Sequence, residues 1–276
     1  MTFKIGGHLP DPDDGESLKS YWDFSTQLRP HLAPSPGDVD LRPFSSDRHN
    51  QGNTGSCVAQ AVVKALENME RQQICQQRGI KPSDLGENDH QNLSVLALYY
   101  LCREFMQPSQ VTEDSGTYPS LACDCLRRFG VCTEEEWPFE PDKLLFKAPS
   151  FTAMKGAFIH RLSAFYRITE TGDDRVQSIL DALRANHPVV YGTDIGDEWQ
   201  SYKKGKVLKK PKNPEGGHAT HLVGWDDTQG VLIGENSWGT HWGDDGYYLL
   251  APEVVADNSR SRDFWVITGI WEVAHQ

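Results

Sequence analysis

No stretch of this sequence is long and apolar enough to span a bilayer. The nearest, Leu93–Leu101, is interrupted by Ser94 and falls well short of the ~20 apolar residues that a span needs. Residues 1–15 lack the basic start and apolar stretch of a secretory signal, so the expectation is a cytoplasmic protein, or one exported by a route that reads no such signal. Positive charge is scarce as well. Lys and Arg number 27 against 39 Asp and Glu, a net charge of −12, which repels phosphate backbones and argues against a nucleic-acid partner. Six cysteines (Cys57, Cys75, Cys102, Cys123, Cys125 and Cys132) form no paired C-x-x-C sets, so the spacing gives no zinc site. Without a signal the thiols are expected to be free. No internal repeat or low-complexity tract is present.

What the chain does have is material for a core: 276 residues, 38% of them hydrophobic, with eight Trp and eleven Phe. That excludes a disordered or collagen-like chain. Residues 1–39, rich in Pro, Asp and Gly, read as an N-terminal extension with one amphipathic patch at Leu18–Leu28. Residues 40–150 read as helical. Val58, Val62, Ala65, Leu66 and Met69 recur on one stripe, and further helical patterns cover Leu93–Met106 and Tyr118–Phe129. From 151 to 276 the pattern turns to short β-branched and aromatic runs bounded by Gly, Asp and Pro. These are Phe158–Ile168, Pro188–Ile195, His218–Trp225, Val231–Glu235, Gly246–Leu250 and Phe264–Ile270, broken by a helix at Arg175–Ala185. The class is α+β, a helical half and a β half with a cleft between them.

Cys57 stands where a turn-rich stretch hands over to the helical stripe. The unpaired N–H groups of a helix's first turn stabilise a thiolate, although a lone cysteine there is equally a small packed hydrophobe. Gln51, six residues upstream, adds weight, because a side-chain amide and a backbone N–H form a donor pair for an oxyanion. His218 and His221 lie on a strand pattern at an odd offset, so they face opposite sides and only one reaches the cleft. As an H-x-x-H pair they lack a third metal ligand.

The approach Gln51-Gly52-Asn53-Thr54-Gly55-Ser56-Cys57 resembles the Q-G-x-C-G-S-C segment of the papain family of cysteine peptidases, with Thr54 in place of a normally disulfide-bonded cysteine. His218-Ala219 through Val223-Gly224-Trp225 resembles that family's base-bearing strand. Asn236-Ser237-Trp238-Gly239, continued by Trp242-Gly243 and Gly246-Tyr247, resembles N-S-W-G-x-x-W-G-x-x-G-[YF], the most specific match in the chain. A weaker match, Ser115-Gly116-Thr117-Tyr118-Pro119, resembles the segment whose backbone pairs with substrate. Cys57 and His218 are further apart than the roughly 130–150 residues given for the family, which places insertions at 75–92 and 195–216.

The resemblance implies a papain-like fold with a β-barrel-like second half, and a peptidase with Cys57 as nucleophile, His218 as base, Asn236 orienting it and Gln51 in the oxyanion hole. Ser115, Gly116, Thr117, Tyr118, Gly217 and Trp238 would line the substrate site. A protein or peptide is the implied partner, and no metal or organic cofactor is required. Acyl transfer or glutamine deamidation by the same residues remains a second reading, and an inactive peptidase-like binding module a third. The family's helical prosegment spacing is absent from residues 1–39. Either the Leu18–Leu28 aromatics dock on the body, or Pro30–Gly37 or the segment before it crosses the cleft and inhibits.

Overall fold

The computed structural model describes residues 3–12, 22–31, 37–86, 89–107 and 111–271. Helix α1, Cys57–Arg78, is the axis of the molecule. It ends on Gly79 in the left-handed conformation (φ 64°), with the Ile80 N–H closing back on the Cys75 carbonyl at 3.1 Å. Helix α2, Val95–Met106, starts where the Ser94 hydroxyl accepts from the Ala97 N–H. Helix α3, Pro119–Phe129, starts with proline in its first turn, where no N–H is needed. Two single turns, α4 (Pro141–Leu144) and α5 (Phe151–Met154), complete the helical half.

The described residues of the other half form a nine-stranded sheet: β1 (Trp22–Asp23), β2 (Val39–Asp40), β3 (Leu162–Ile168), β4 (Val189–Ile195), β5 (Val207–Leu208), β6 (Gly216–Asp226), β7 (Val231–Glu235), β8 (Tyr247–Leu250) and β9 (Ser261–Ile270). Their order is β1-β3-β9-β4-β6-β7-β8-β5, with β2 on β6. Helices α6 (Gly172–Arg184), α7 (Asp197–Gln200) and α8 (Pro252–Ala256) punctuate it. One apolar core lies inside this half, around Tyr191, Leu222 and Phe264, and a second lies between α1–α3 and the sheet, reaching Val190, Ala219 and Trp265.

The polar face of α1 is buried as well as its apolar stripe. Lys64, Glu67 and Glu70 are each at most 3% exposed, against the single apolar stripe read from the sequence. Buried charge must be paired. Lys64 Nζ reaches Glu235 at 3.2 Å, and Glu70 joins His90 and His160 at 2.9 and 3.0 Å. Two strand boundaries also differ from expectation. Phe158 and Ile159 lie in a 3₁₀ turn, and β9 begins at Ser261, where Ser-Arg-Asp carries no apolar signal.

Phe24 of the extension is fully buried on the β-half core, with Leu28 against it. Leu18, Tyr21 and residues 32–36 lie outside the described residues, so most of the segment expected to cross the cleft is not seen.

Candidate active site

Cys57 is the first residue of α1 and only 1% exposed. The backbone of Ala219 on β6 hydrogen-bonds its thiol, which brings His218, the preceding residue, to the same spot. Asn236 follows β7, its N–H held by the Gly246 carbonyl at 2.9 Å. Its Oδ1 accepts from the Ser237 N–H and meets His218 Nε2, both at 2.8 Å. An oxygen that accepts from a backbone N–H is the carbonyl end of the amide, so His218 Nε2 carries the proton. Nδ1 is then the basic nitrogen, and it has no hydrogen-bond partner among the described residues. Trp238 and Trp199 flank the ring at 5.0 and 6.0 Å.

Gln51 ties the two halves together. Its N–H donates to the Ser237 carbonyl at 2.8 Å, and its Oε1 accepts from the Ser237 hydroxyl at 2.6 Å. That fixes Nε2 as a donor, to the Thr54 carbonyl at 2.9 Å and to the Lys4 carbonyl at 3.4 Å. His221 points away from this constellation. It is buried beside Glu235, Nε2 to Oε2 3.6 Å, and burial pulls its imidazole down to about 4.

The Lys4 contact belongs to an extended segment, residues 3–11, which lies along the cleft and falls within the N-terminal extension but before the stretches expected to dock or to cross. Phe3 stacks on Trp238 with ring centroids 4.7 Å apart and planes 3° from parallel. Lys4 pairs with Asp114. Gly6 N–H donates to the Gly217 carbonyl at 2.8 Å, Thr117 N–H to the Gly7 carbonyl at 3.1 Å, and Leu9 N–H to the Thr117 carbonyl at 2.9 Å. The His8 side chain is buried, its Nε2 3.0 Å from Asp263 Oδ2. Asp11 closes the run on the Ser120 N–H and the Trp265 indole, at 3.0 and 2.8 Å. Thus Gly217, Trp238 and Ser115–Tyr118 stand together, and Gly217, Thr117 and Trp238 are already engaged by the chain's own N-terminal segment.

Two glycines make room for it. A Cβ on Gly116, whose φ is 81°, would meet the Gly7 carbonyl oxygen at 2.4 Å, and one on Gly192 would meet the His8 ring at 2.1 Å. Asp114 was also missed. Its carboxylate accepts from the Gly55 N–H at 2.9 Å and the Tyr99 hydroxyl at 2.7 Å, pinning the turn before Cys57. Only its place beside Ser115 hinted at this.

Under this cover the electrostatics differ from the sequence expectation. A helix start was expected to lower the Cys57 pKa. Instead burial pushes the thiol up to about 12, against the backbone hydrogen bonds. Burial likewise draws His218 down to about 4, against its bond to Asn236, with His8 adding to the fall. Both shifts favour the uncharged form, thiol and neutral imidazole.

All six cysteines are free and buried, and no helix of the described residues is long and apolar enough to cross a membrane.

The family described as papain family cysteine protease matches residues 35–259. An uncharacterised peptidase C1-like protein of Acanthamoeba polyphaga mimivirus is 30% identical over 268 residues, covering 92% of this chain and 80% of that one. Xylellain, a cysteine protease from Xylella fastidiosa, superposes with a TM-score of 0.75 at 26% identity, covering 98% of each chain. The digestive procathepsin L 3 of Tenebrio molitor larval midgut shares the fold at a TM-score of 0.63 and 23% identity, over 90% of this chain and 74% of that one. The chain belongs to the papain family of cysteine proteases, hydrolases that act on the peptide bond through a thiol.

Proposed function

We propose that this peptidase works through Cys57, His218 and Asn236 with Gln51 in the oxyanion hole, and that residues 3–11 hold it closed. The single observation that carries the reading is the hydrogen-bond polarity at the site. Asn236 Oδ1 accepts a hydrogen bond from the protonated Nε2 and leaves Nδ1 of His218 as the base, while the Gln51 amide already donates to a carbonyl oxygen, that of Lys4.

In the open enzyme Nδ1 takes the Cys57 proton, and the thiolate attacks the substrate carbonyl carbon. The oxyanion accepts from Gln51 Nε2 and the Cys57 N–H. The imidazolium then protonates the leaving amine, the C–N bond breaks, and a thioester remains. His218 next deprotonates water, which attacks the thioester. The acid departs, and the proton returns to the thiol.

The direction of residues 3–11 supports inhibition rather than self-digestion. Since His218 protonates the amine, the amine side of a productive substrate leaves towards Trp238, and its acyl side lies along Ser115–Thr117. Residues 3–11 run the other way, with Phe3 on Trp238 and Leu9 on Thr117. Their pairing with Thr117 is accordingly parallel. A peptide bond held in this sense puts its nitrogen on the wrong side of the thiol. The likeness to procathepsin L 3, a proform by name, agrees with this reading.

The test is hydrolysis of a short fluorogenic peptide by the full chain, before and after displacement of the segment. Cleavage that rises on displacement and vanishes in Cys57→Ala supports the proposal. Cleavage retained in Cys57→Ala contradicts it.

A further inference from the structure

Six of the ten residues from Lys203 to Lys212 are lysine, in a chain that is otherwise strongly acidic. Lys204 pairs with Asp244 at 2.6 Å and Lys210 with Asp257 at 3.0 Å. Lys203, Lys206, Lys209 and Lys212 have no ion pair among the described residues, and all four are exposed. Lys203, Lys206, Lys209, Lys210 and Lys212 line one surface pocket of about 410 Å³, in which Glu198 is the single acid.

The backbone that carries them is anchored. Strand β5 pairs in parallel with β8, Leu208 is buried, and its carbonyl accepts from the Ala251 N–H at 2.9 Å. The Tyr202 hydroxyl donates to the Lys206 carbonyl at 2.8 Å and accepts from the Leu249 N–H at 2.9 Å. Like charges held on a fixed shelf repel one another, so an anionic partner gains from them without first having to order the loop.

The shelf adjoins the cleft on the amine side. The Gln200 amide brackets the Phe3 backbone, accepting from its N–H at 3.4 Å and donating to its carbonyl at 3.3 Å. Trp238, against which Phe3 stacks, touches Trp242 at 5.3 Å, and Trp242 touches Tyr202 at 5.1 Å. An extended chain advances about 3.3 Å per residue, so one leaving the Phe3 position passes along these rings towards the lysines within a few residues.

We infer that residues 203–212 form a subsite for acidic polypeptide, so that the enzyme favours substrates carrying Asp or Glu clustered about three to six residues after the scissile bond. This rests on the substrate direction given under the proposed function. A peptide is favoured over other polyanions because the shelf continues the cleft that Phe3 occupies.

The experiment compares two quenched-fluorescence peptides, identical around the scissile bond, with four Glu or four Gln at those positions. The full chain is used throughout, since the N-terminal segment lowers both rates by the same factor. The kcat/KM ratio, Glu over Gln, is expected to be on the order of ten at low salt, several exposed ion pairs contributing a little each. It should collapse towards one in 1 M NaCl, where the Debye length is about 3 Å. Lys→Gln at 203, 206, 209 and 212 together should bring the ratio to one and leave cleavage of the Gln peptide unchanged.

A ratio of one in the unaltered chain overturns the inference while leaving the peptidase reading intact, and so does a ratio that survives the four substitutions. Equal cleavage combined with lysine-dependent binding of a single-stranded oligonucleotide also overturns it, in favour of a nucleic-acid surface. Should neither peptide be cleaved, fluorescence anisotropy of the labelled peptides with the Cys57→Ala chain decides. Tighter binding of the Glu peptide, lost in the lysine variant, supports the subsite, and equal binding refutes it.

Discussion

The floor of the cleft is fully buried and the segment that lies on it is mostly half-buried, and the two were unequally visible in the sequence. Cys57, Gln51, His218 and Asn236 are residue types with chemistry of their own, set in glycine- and tryptophan-rich spacings. Phe3, Lys4, Gly6, Gly7 and His8 carry no such mark. Their role comes from what they touch: Trp238, Asp114, Gly217, Thr117 and Asp263. Chemistry is legible in composition and spacing, whereas occlusion is legible only in geometry.

The largest effect that can separate floor from cover is loss of the base. His218→Ala should eliminate turnover of a small peptide, while folded His221→Ala keeps it, because His221 sits with Glu235 behind the site. A steady-state assay, with circular dichroism to check folding, reads this directly, and the reverse pattern would exchange the two histidines. Gln51→Ala comes next, with a loss of about 10²–10³ in kcat for a single oxyanion donor. An unchanged rate would remove Gln51 from the mechanism.

Smaller, and opposite in sign, is the effect of loosening the cover. A Cβ on Gly7 would meet the Gly55 carbonyl oxygen at 2.4 Å, a clash that exists only when the strand is seated. Overpacking of this kind costs about 1–3 kcal/mol, so Gly7→Val should raise the initial rate roughly 5- to 150-fold. Unchanged or lower activity in a folded variant would mean that the strand does not inhibit.

Much of the floor could be read because helices and glycine-rich turns leave local patterns. The start of α1 falls at Cys57, as Gly55-Ser56 suggested, and β6 and β7 carry His218 and precede Asn236, respectively. Physical reasons account for what could not be read. The polar side of α1 is buried by partners from separate parts of the chain, Ser46 and Leu93 on Glu67, His90 and His160 on Glu70, and Glu235 on Lys64, and no local period records that. The Asp263 carboxylate meets His8 from the far end of the chain, on a residue with φ of 58°. The low thiol pKa expected of a helix start is overridden by the burial of Cys57, which no local pattern records.

The smallest expected effect lies away from the cleft, in the buried charges behind it. Burial raises the Glu235 carboxyl, but Lys64, His221 and Arg48 more than offset this and hold it down to about 2. A carboxyl whose folded value is depressed contributes stability that is fully present above its ordinary value near 4.5 and is lost as pH falls towards 2. Thermal melts of the full chain should therefore show Tm falling across that window. Glu235→Gln should flatten that fall and lower Tm at pH 7, because Lys64 is left buried with a weaker partner. A Tm profile identical in both chains would show that Glu235 is not held by these cations.

The central claim is that a competent nucleophile lies beneath the chain's own reversed strand. Its most direct measurement is the order in which a mild alkylating agent labels the six thiols at pH 7, read by peptide mass spectrometry. In the unaltered full chain, Cys75, the most exposed at 6%, should react before Cys57, whose thiol is held at about 12. In Gly7→Val, Cys57 should become the first to react, its thiolate then stabilised by the helix start and by His218. Preferential labelling of Cys57 in the unaltered chain, or an order that Gly7→Val leaves unchanged, would contradict the account.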